Sequence, residues 1–273
     1  MTLLVSWLGV DSRGPASAYI TSDSRVSWRK GVFYDFARKT FSMENHPDIF
    51  GYSGDVLFPL MSLSQIIDIA NKGLLFKDKM TAREKSQIII TKLILAFKEY
   101  PSEDPGVTTG VINILHISRD DLNNSFYAAI IKWNLKKGWT LEVLDLPEKS
   151  DILIVCGSGK TEFESNYELY QIGDNKSTSR NVFHCFTDTL FNIKSQTCGG
   201  APQLVGLYRK PNSGGIDFGI IRNSKRYLYG TQVDNLSNFN SIEWRNDLFE
   251  LCDGCSKTKF KDAMSQPNKL KRY

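Results

Sequence analysis

The sequence contains no run approaching ~18 consecutive apolar residues, so nothing in it reads as a membrane span. No basic cluster precedes its first apolar stretch, and Asp11, Arg13 and Pro15 interrupt that stretch at once; this is not the pattern of a secretory signal. Histidine is scarce. His46, His116 and His184 are scattered singly, which reads as core or surface histidines rather than as ligands. The five cysteines, at 156, 185, 198, 252 and 255, are odd in number and irregular in spacing. They imply no disulfide framework, so a reducing compartment, the cytoplasm, is the expected location. Cys252 and Cys255 form a lone CxxC with no second pair and no nearby histidine, which does not argue for zinc; no metal or cofactor is expected. A phosphate loop is missing too, because Gly159 and Lys160 have no glycine at the required earlier position. Net charge is only +4 over 273 residues, which calls for no nucleic-acid partner.

What remains is ordinary globular material, 41% hydrophobic and 23% charged, with length enough for a large core. Strands are expected over 2–9 and 16–28, joined by the turn "DSRGP", and over 38–43 and 48–54. From Asp55 the period changes. "DVLFPLMSLSQIIDIAN" and "TAREKSQIIITKLILAFKEY" carry apolar residues at helical spacing, and Thr81 with Glu84 makes a capping box for the second. Strands resume over 111–117, 126–133, 139–146 and 151–159. Helices follow over 160–170 and 177–191, and strands close the chain over 202–210, 216–223 and 226–230.

Strands grouped in blocks do not suit a βαβ alternation. They predict an α+β fold of two antiparallel sheets packed face to face, with a helix pair on each outer side. Residues 1–254 read as one domain. The lysine-rich stretch 255–273 reads as a loose basic tail.

Thr2 stands directly against the first apolar run. A threonine hydroxyl is a poor nucleophile unless a base sits beside it, and its own α-amino group can be that base if nothing precedes it. An α-amine titrates near ~7.7–8.0, which suits proton shuttling. Met1 before a small residue is a common context for methionine removal, and removal would make Thr2 the first residue. Such a nucleophile wants a cation nearby and a carboxylate to hold that cation. The chain offers Asp23 and Arg25 in "ITSDSRVSW" and Lys39 in "FARKTF". Gly54 in "GYSGD" opens a helix, where a backbone N–H favours developing negative charge. Ser158 lies between two glycines at a strand end. Each residue alone also fits a plainer role: Asp23 with Arg25 as a surface pair, Lys39 as a solvated strand residue, the glycines as turn formers.

As an ordered set, Thr2, "SDSR", Lys39, "YSGD", "VCGSG" and "TCGGAPQLVGLYR" resemble a proteasome β-subunit and its bacterial relatives, the HslV peptidase and the ancestral β-subunit type. The resemblance covers roughly residues 2–230. It implies the αββα sandwich of the N-terminal nucleophile hydrolases, an activity on peptide or other amide bonds, no cofactor, a homo-oligomeric assembly, and an unfoldase or other protein as partner. By the same resemblance Thr2 matches the nucleophile, Asp23 the carboxylate that pairs with Lys39, and Gly54 the oxyanion donor. Ser158 matches the serine near the amine, and Tyr52 and Val56 flank the substrate pocket. Two positions depart. Cys198 stands where many subunits have a supporting serine, and Ser195 where they have an aspartate. The missing aspartate keeps a second reading open, a proteasome-like scaffold or partner-binding protein without turnover.

Overall fold

In the computed structural model, residues 2–28, 31–104, 107–108, 110–120, 122–234 and 239–263 are described. In chain order the strands begin β1 (Leu4–Asp11), β2 (Gly14–Ser22), β3 (Val26–Ser27), β4 (Phe33–Tyr34), β5 (Thr40–Ser42) and β6 (Asp48–Gly54). The helices α1 (Leu57–Asn71) and α2 (Ala82–Lys98) follow. Next come β7 (Val111–Arg119), β8 (Phe126–Asn134), β9 (Gly138–Val143) and β10 (Asp151–Cys156), then α3 (Lys160–Tyr170) and α4 (Ser179–Asn192). The chain ends through β11 (Gln203–Tyr208), β12 (Ile216–Arg222), β13 (Lys225–Leu228), β14 (Thr231–Gln232), β15 (Glu243–Asn246) and β16 (Leu251–Cys252).

One sheet runs β10-β1-β2-β11-β12-β13-β14, and the other runs β5-β6-β7-β8-β9. Alternation along the strands explains how each sheet buries both faces. In the first sheet Leu3, Val5 and Trp7 pack under α3 and α4, with Phe163, Phe183 and Phe186. Leu4, Leu8, Ala18 and Ile20 point the other way, onto Ile49, Leu115, Ile117 and Ile130 of the second sheet. Phe50, Ile112, Ile114 and Ile131 turn outward again, beneath Phe58, Leu63, Ile89 and Leu93 of α1 and α2. Three apolar clusters between four layers make the αββα sandwich. Each fully buried aromatic or aliphatic side chain contributes about 1.5–3 kcal/mol. The capping box of α2 forms: Glu84 N–H donates to the Thr81 hydroxyl at 3.2 Å and Thr81 N–H donates to the Glu84 carboxylate at 2.8 Å.

Three segments differ from expectation. The strand expected over 16–28 stops at Ser22, because the Asp23 carboxylate takes backbone N–H groups that a ladder would otherwise use. Beyond that break β3 and β4 form a small two-stranded sheet of their own. The last expected strand, 226–230, ends at Leu228, and the region after Gly230, given no structure from its composition, adds β14, β15 and β16. β15 pairs with β12 in the one parallel pairing among the described residues, covered by Trp244. Of the stretch read as a basic tail, residues 255–263 include a bridge from Lys259 back to Cys252, and 264–273 lie outside the described residues.

A buried polar network fastens α2 to the second sheet. Lys85 Nζ lies 3.0 Å from Asp48 Oδ2, His116 Nε2 lies 2.8 Å from Asp48 Oδ1, and the Ser86 hydroxyl lies 2.6 Å from His116 Nδ1. Burial pushes the Asp48 carboxyl up, but the hydrogen bond and charge of His116 and the charge of Lys85 outweigh it and hold the group at about 2. A carboxyl lowered on folding stabilises the fold fully above its unfolded value, 3.8, and loses that contribution as pH falls towards about 2. An acid titration followed by circular dichroism should therefore show stability falling across that window. Asp48→Asn should flatten this part of the curve, and an unchanged curve would refute the assignment.

Candidate active site

Thr2 and Leu3 lead into β1 and are held on both sides: Gly159 N–H donates to the Thr2 carbonyl at 3.2 Å and Asp23 N–H to the Leu3 carbonyl at 3.2 Å. The close approach of the 157–159 turn depends on Gly157. Its φ is +96°, and a Cβ there would sit 2.0 Å from the Thr2 carbonyl oxygen. Thr2 is 1% exposed, and Asp23 and Lys39 are fully buried.

Lys39 immediately precedes β5, and its ammonium is the hub of the site. Nζ donates to Thr2 Oγ1 at 3.0 Å, to Asp23 Oδ1 at 2.8 Å and to the Arg25 carbonyl at 2.5 Å, which uses all three of its donors. Asp23 is held as firmly. Its Oδ1 also accepts from Leu3 N–H at 3.1 Å, and its Oδ2 accepts from Arg25 N–H at 3.2 Å and Gly199 N–H at 3.1 Å. The plainer readings of Asp23 as a surface residue and Lys39 as a solvated one are excluded by this burial.

The Thr2 nitrogen faces a different set of groups. It donates to the Ser158 hydroxyl at 3.3 Å. Ser158 Oγ lies 2.7 Å from Thr197 Oγ1 and 3.5 Å from Cys198 Sγ. Thr197 Oγ1 lies 2.7 Å from Ser195 Oγ, which also accepts from Thr197 N–H at 3.3 Å. Burial and then the Asp23 charge push the Cys198 thiol up, so it stays neutral. Thr2, Asp23, Lys39, Ser158, Ser195 and Cys198 thus converge on one place.

Gly54 ends β6 with φ +95°, and a Cβ there would sit 2.3 Å from the Val111 carbonyl oxygen. Val56 is the N-cap of α1, so Gly54 lies just ahead of that helix, whose N-terminal dipole favours negative charge. Tyr52 is fully buried, its ring against Phe41 and its hydroxyl donating to the Arg38 carbonyl at 2.9 Å. Burial, with the charges of Asp23 and Asp55, pushes its hydroxyl up.

Two contributors, Gln203 and Thr197, carried no role from sequence reasoning, and a third, Arg25, pairs with Asp35 rather than with the Asp23 side chain it was read beside. Gln203, in β11, accepts from Lys39 N–H at 2.9 Å and donates to the carbonyls of Asp23 at 3.2 Å and Ala37 at 2.8 Å, so it clamps the lysine and aspartate segments together. A glutamine opening an otherwise apolar strand was the available signal. Thr197 links Ser158 to Ser195. Arg25 forms a bidentate pair with Asp35 at 2.6 and 2.8 Å and donates to the Gln196 carbonyl at 3.2 Å, tying β3 and β4 to the Ser195–Cys198 turn. Among the described residues no group of three or more His, Cys, Asp or Glu is placed to hold a metal ion. Cys252 is buried with Ile221 and Trp244, and Cys255 is exposed.

Anbu, the ancestral β-subunit, from Yersinia bercovieri superposes with a TM-score of 0.52 at 10% identity, covering 78% of this chain and 86% of that one. The chain has the proteasome-like N-terminal nucleophile hydrolase fold. An Anbu mutant from Hyphomicrobium sp. strain MC1 matches with a TM-score of 0.50 at 12% identity, over 76% of this chain and 81% of its own. No family model matches the chain, and no curated protein matches it in sequence. At such identities the likeness is one of architecture, and the chemistry of the site rests on its own geometry. No helix among the described residues is long and apolar enough to cross a membrane.

Proposed function

We propose that the chain is an N-terminal-threonine hydrolase acting on peptide or other amide bonds. The observation that carries this reading is the buried Lys39 ammonium, 3.0 Å from Thr2 Oγ1 and 2.8 Å from Asp23. A cation so held stabilises the alkoxide character of the hydroxyl without being drawn away to solvent. In the encoded chain the Thr2 nitrogen is an amide. Loss of Met1 turns it into the α-amine that serves as base.

The steps then balance. Thr2 Oγ1 bonds to the substrate carbonyl carbon, and its proton passes to the α-amine. The oxyanion forms on the side of the positive end of α1, where Gly54 is the residue the resemblance implies as donor. The tetrahedral intermediate collapses, the C–N bond breaks, and the departing amine takes the proton from the ammonium. Water adds to the resulting ester with the α-amine again as base, and Thr2 is regenerated. Val56, half-buried just past the Gly54 turn, is the side chain that would border the substrate, whereas Tyr52, expected beside it, is sealed in the core beneath the turn.

Intact mass together with a peptide epoxyketone tests this. The hydroxyl adds to the ketone and the free amine opens the epoxide, so one inhibitor reports both groups. A wild-type chain lacking Met1 and carrying one covalent adduct is the expected result. The scaffold reading draws on a specific feature, Ser195 standing where the resemblance implies an aspartate, and it expects Met1 retained and no adduct. Retention decides against the enzyme, because an amide nitrogen cannot act as the base.

A further inference from the structure

We infer that Thr197 is a positioning residue for the Thr2 amine, acting through Ser158; this deepens the threonine-hydrolase reading and rests on it. The argument follows from counting protons. Each hydroxyl has one proton to give and two lone pairs to receive. To act as base, the freed amine must keep its lone pair turned towards Thr2 Oγ1 and donate an N–H to Ser158 Oγ, as the Thr2 amide N–H does at 3.3 Å. Ser158 must then send its own proton elsewhere. Thr197 Oγ1, at 2.7 Å, is the strong acceptor within reach, whereas the Cys198 thiol at 3.5 Å is a weak one. Thr197 passes its proton on to Ser195 Oγ at 2.7 Å. Ser195 is held in turn by the Thr197 N–H at 3.3 Å. The chain thus runs outward from the amine through three neutral hydroxyls.

Ser158 is exposed, so without the Thr197 oxygen its proton is no longer fixed: it turns to water or, on rotation, to the amine nitrogen. The hydrogen bond to the amine occupies the lone pair that must receive the Thr2 proton. It also favours the neutral amine over the ammonium, which lowers the pKa of the amine. Two effects follow together, a fall in the plateau of kcat/KM and a displacement of its acid limb to lower pH. Ser158, Thr197 and Ser195 are all hydroxyls, so along this chain the orientation is passed on by hydroxyl direction.

The experiment compares wild type, Thr197→Val and Thr197→Ser. Valine keeps the shape and puts a methyl where the hydroxyl was, which also denies the position to water. Turnover of a fluorogenic peptide amide across about pH 5 to 9 brackets the amine. Thr197→Val should lose about 10- to 100-fold on the plateau, the scale of a misdirected reacting group, with its acid limb moved down. Thr197→Ser should restore both. The rate of Thr2 carbamylation by cyanate against pH reads the amine directly and needs no turnover; its midpoint should fall in Thr197→Val. A limb and a midpoint identical in wild type and Thr197→Val overturn the role of Thr197 while leaving the threonine hydrolase standing. A serine variant no better than valine does the same. A wild-type chain with no free amine at Thr2 overturns both.

Discussion

Thr2→Ala is expected to abolish turnover and epoxyketone labelling while leaving the fold in place. The fold survives because little is removed: one hydroxyl and one methyl where the chain enters β1, a cavity cost on the order of 1 kcal/mol. Lys39 loses one of its three acceptors but keeps Asp23 Oδ1 and the Arg25 carbonyl, so its charge stays compensated. A missing hydrogen bond adds roughly 1 kcal/mol more. Activity has no such reserve. Ser158 faces the amine, but it lacks the contact to Lys39 Nζ that Thr2 Oγ1 has at 3.0 Å. A fall of about 10⁴-fold or more is the scale on which enzymes lose an essential nucleophile. Thr2→Ser keeps hydroxyl and amine and should keep measurable turnover. Residual wild-type-like activity in Thr2→Ala, with an unchanged melting temperature, would move the chemistry to another residue.

The layered fold was legible because its strands and helices have different periods and come in blocks. The helix starting near Thr81 announced itself through its capping box, and the change of period at Asp55 marked where strands gave way to α1. Residues such as Leu4 and Val5 point to opposite sides and are both buried. A strand of this kind reads as a continuous apolar run, and that in turn implies a sheet covered on both faces. The C-terminal strands were not legible. β14 and β16 have two residues each, too short to show a period, and β15 is stabilised by a partner in β12 distant in sequence. The break after Ser22 was hidden for a related reason. Asp23 looks like any polar residue in an alternating strand until its carboxylate is seen taking three backbone N–H groups.

The site divides along the same line. Thr2, Asp23 and Lys39, which the structure brings within hydrogen-bond reach, were singled out because a hydroxyl, a carboxylate and an ammonium in that order along the chain suggest one site. Gln203 and Thr197 were not, although both lie inside a stretch that had drawn attention. Their importance comes from hydrogen-bond direction across distant segments, with Gln203 reaching Ala37 and Thr197 reaching Ser158. Neutral amide and hydroxyl groups advertise no such partnership in sequence, because serine, threonine and glutamine are equally at home on a solvated surface.

Lys39→Met is the substitution expected to injure fold and chemistry together. Methionine is close to lysine in length and fills the same buried slot, so packing loss is small and the effect isolates the charge. Removing the ammonium leaves the Asp23 carboxylate fully buried without its counter-ion. Three backbone N–H donors remain to it, but breaking a buried pair on one side costs about 3–5 kcal/mol. The melting temperature should fall accordingly. Turnover should drop by about 10²- to 10⁴-fold even at temperatures where the variant is folded, because the hydroxyl loses the cation that stabilises it. Lys39→Arg separates the two effects. It restores a positive charge to Asp23, and with it part of the stability. It cannot restore activity, because a planar guanidinium with five donors does not fit a slot built around three converging acceptors, Thr2 Oγ1, Asp23 Oδ1 and the Arg25 carbonyl. Thermal melts and epoxyketone labelling rates on the same samples decide the matter. A Lys39→Met variant that melts like wild type would show that Asp23 is not charged alone in the core, and one that labels like wild type would remove Lys39 from the reaction.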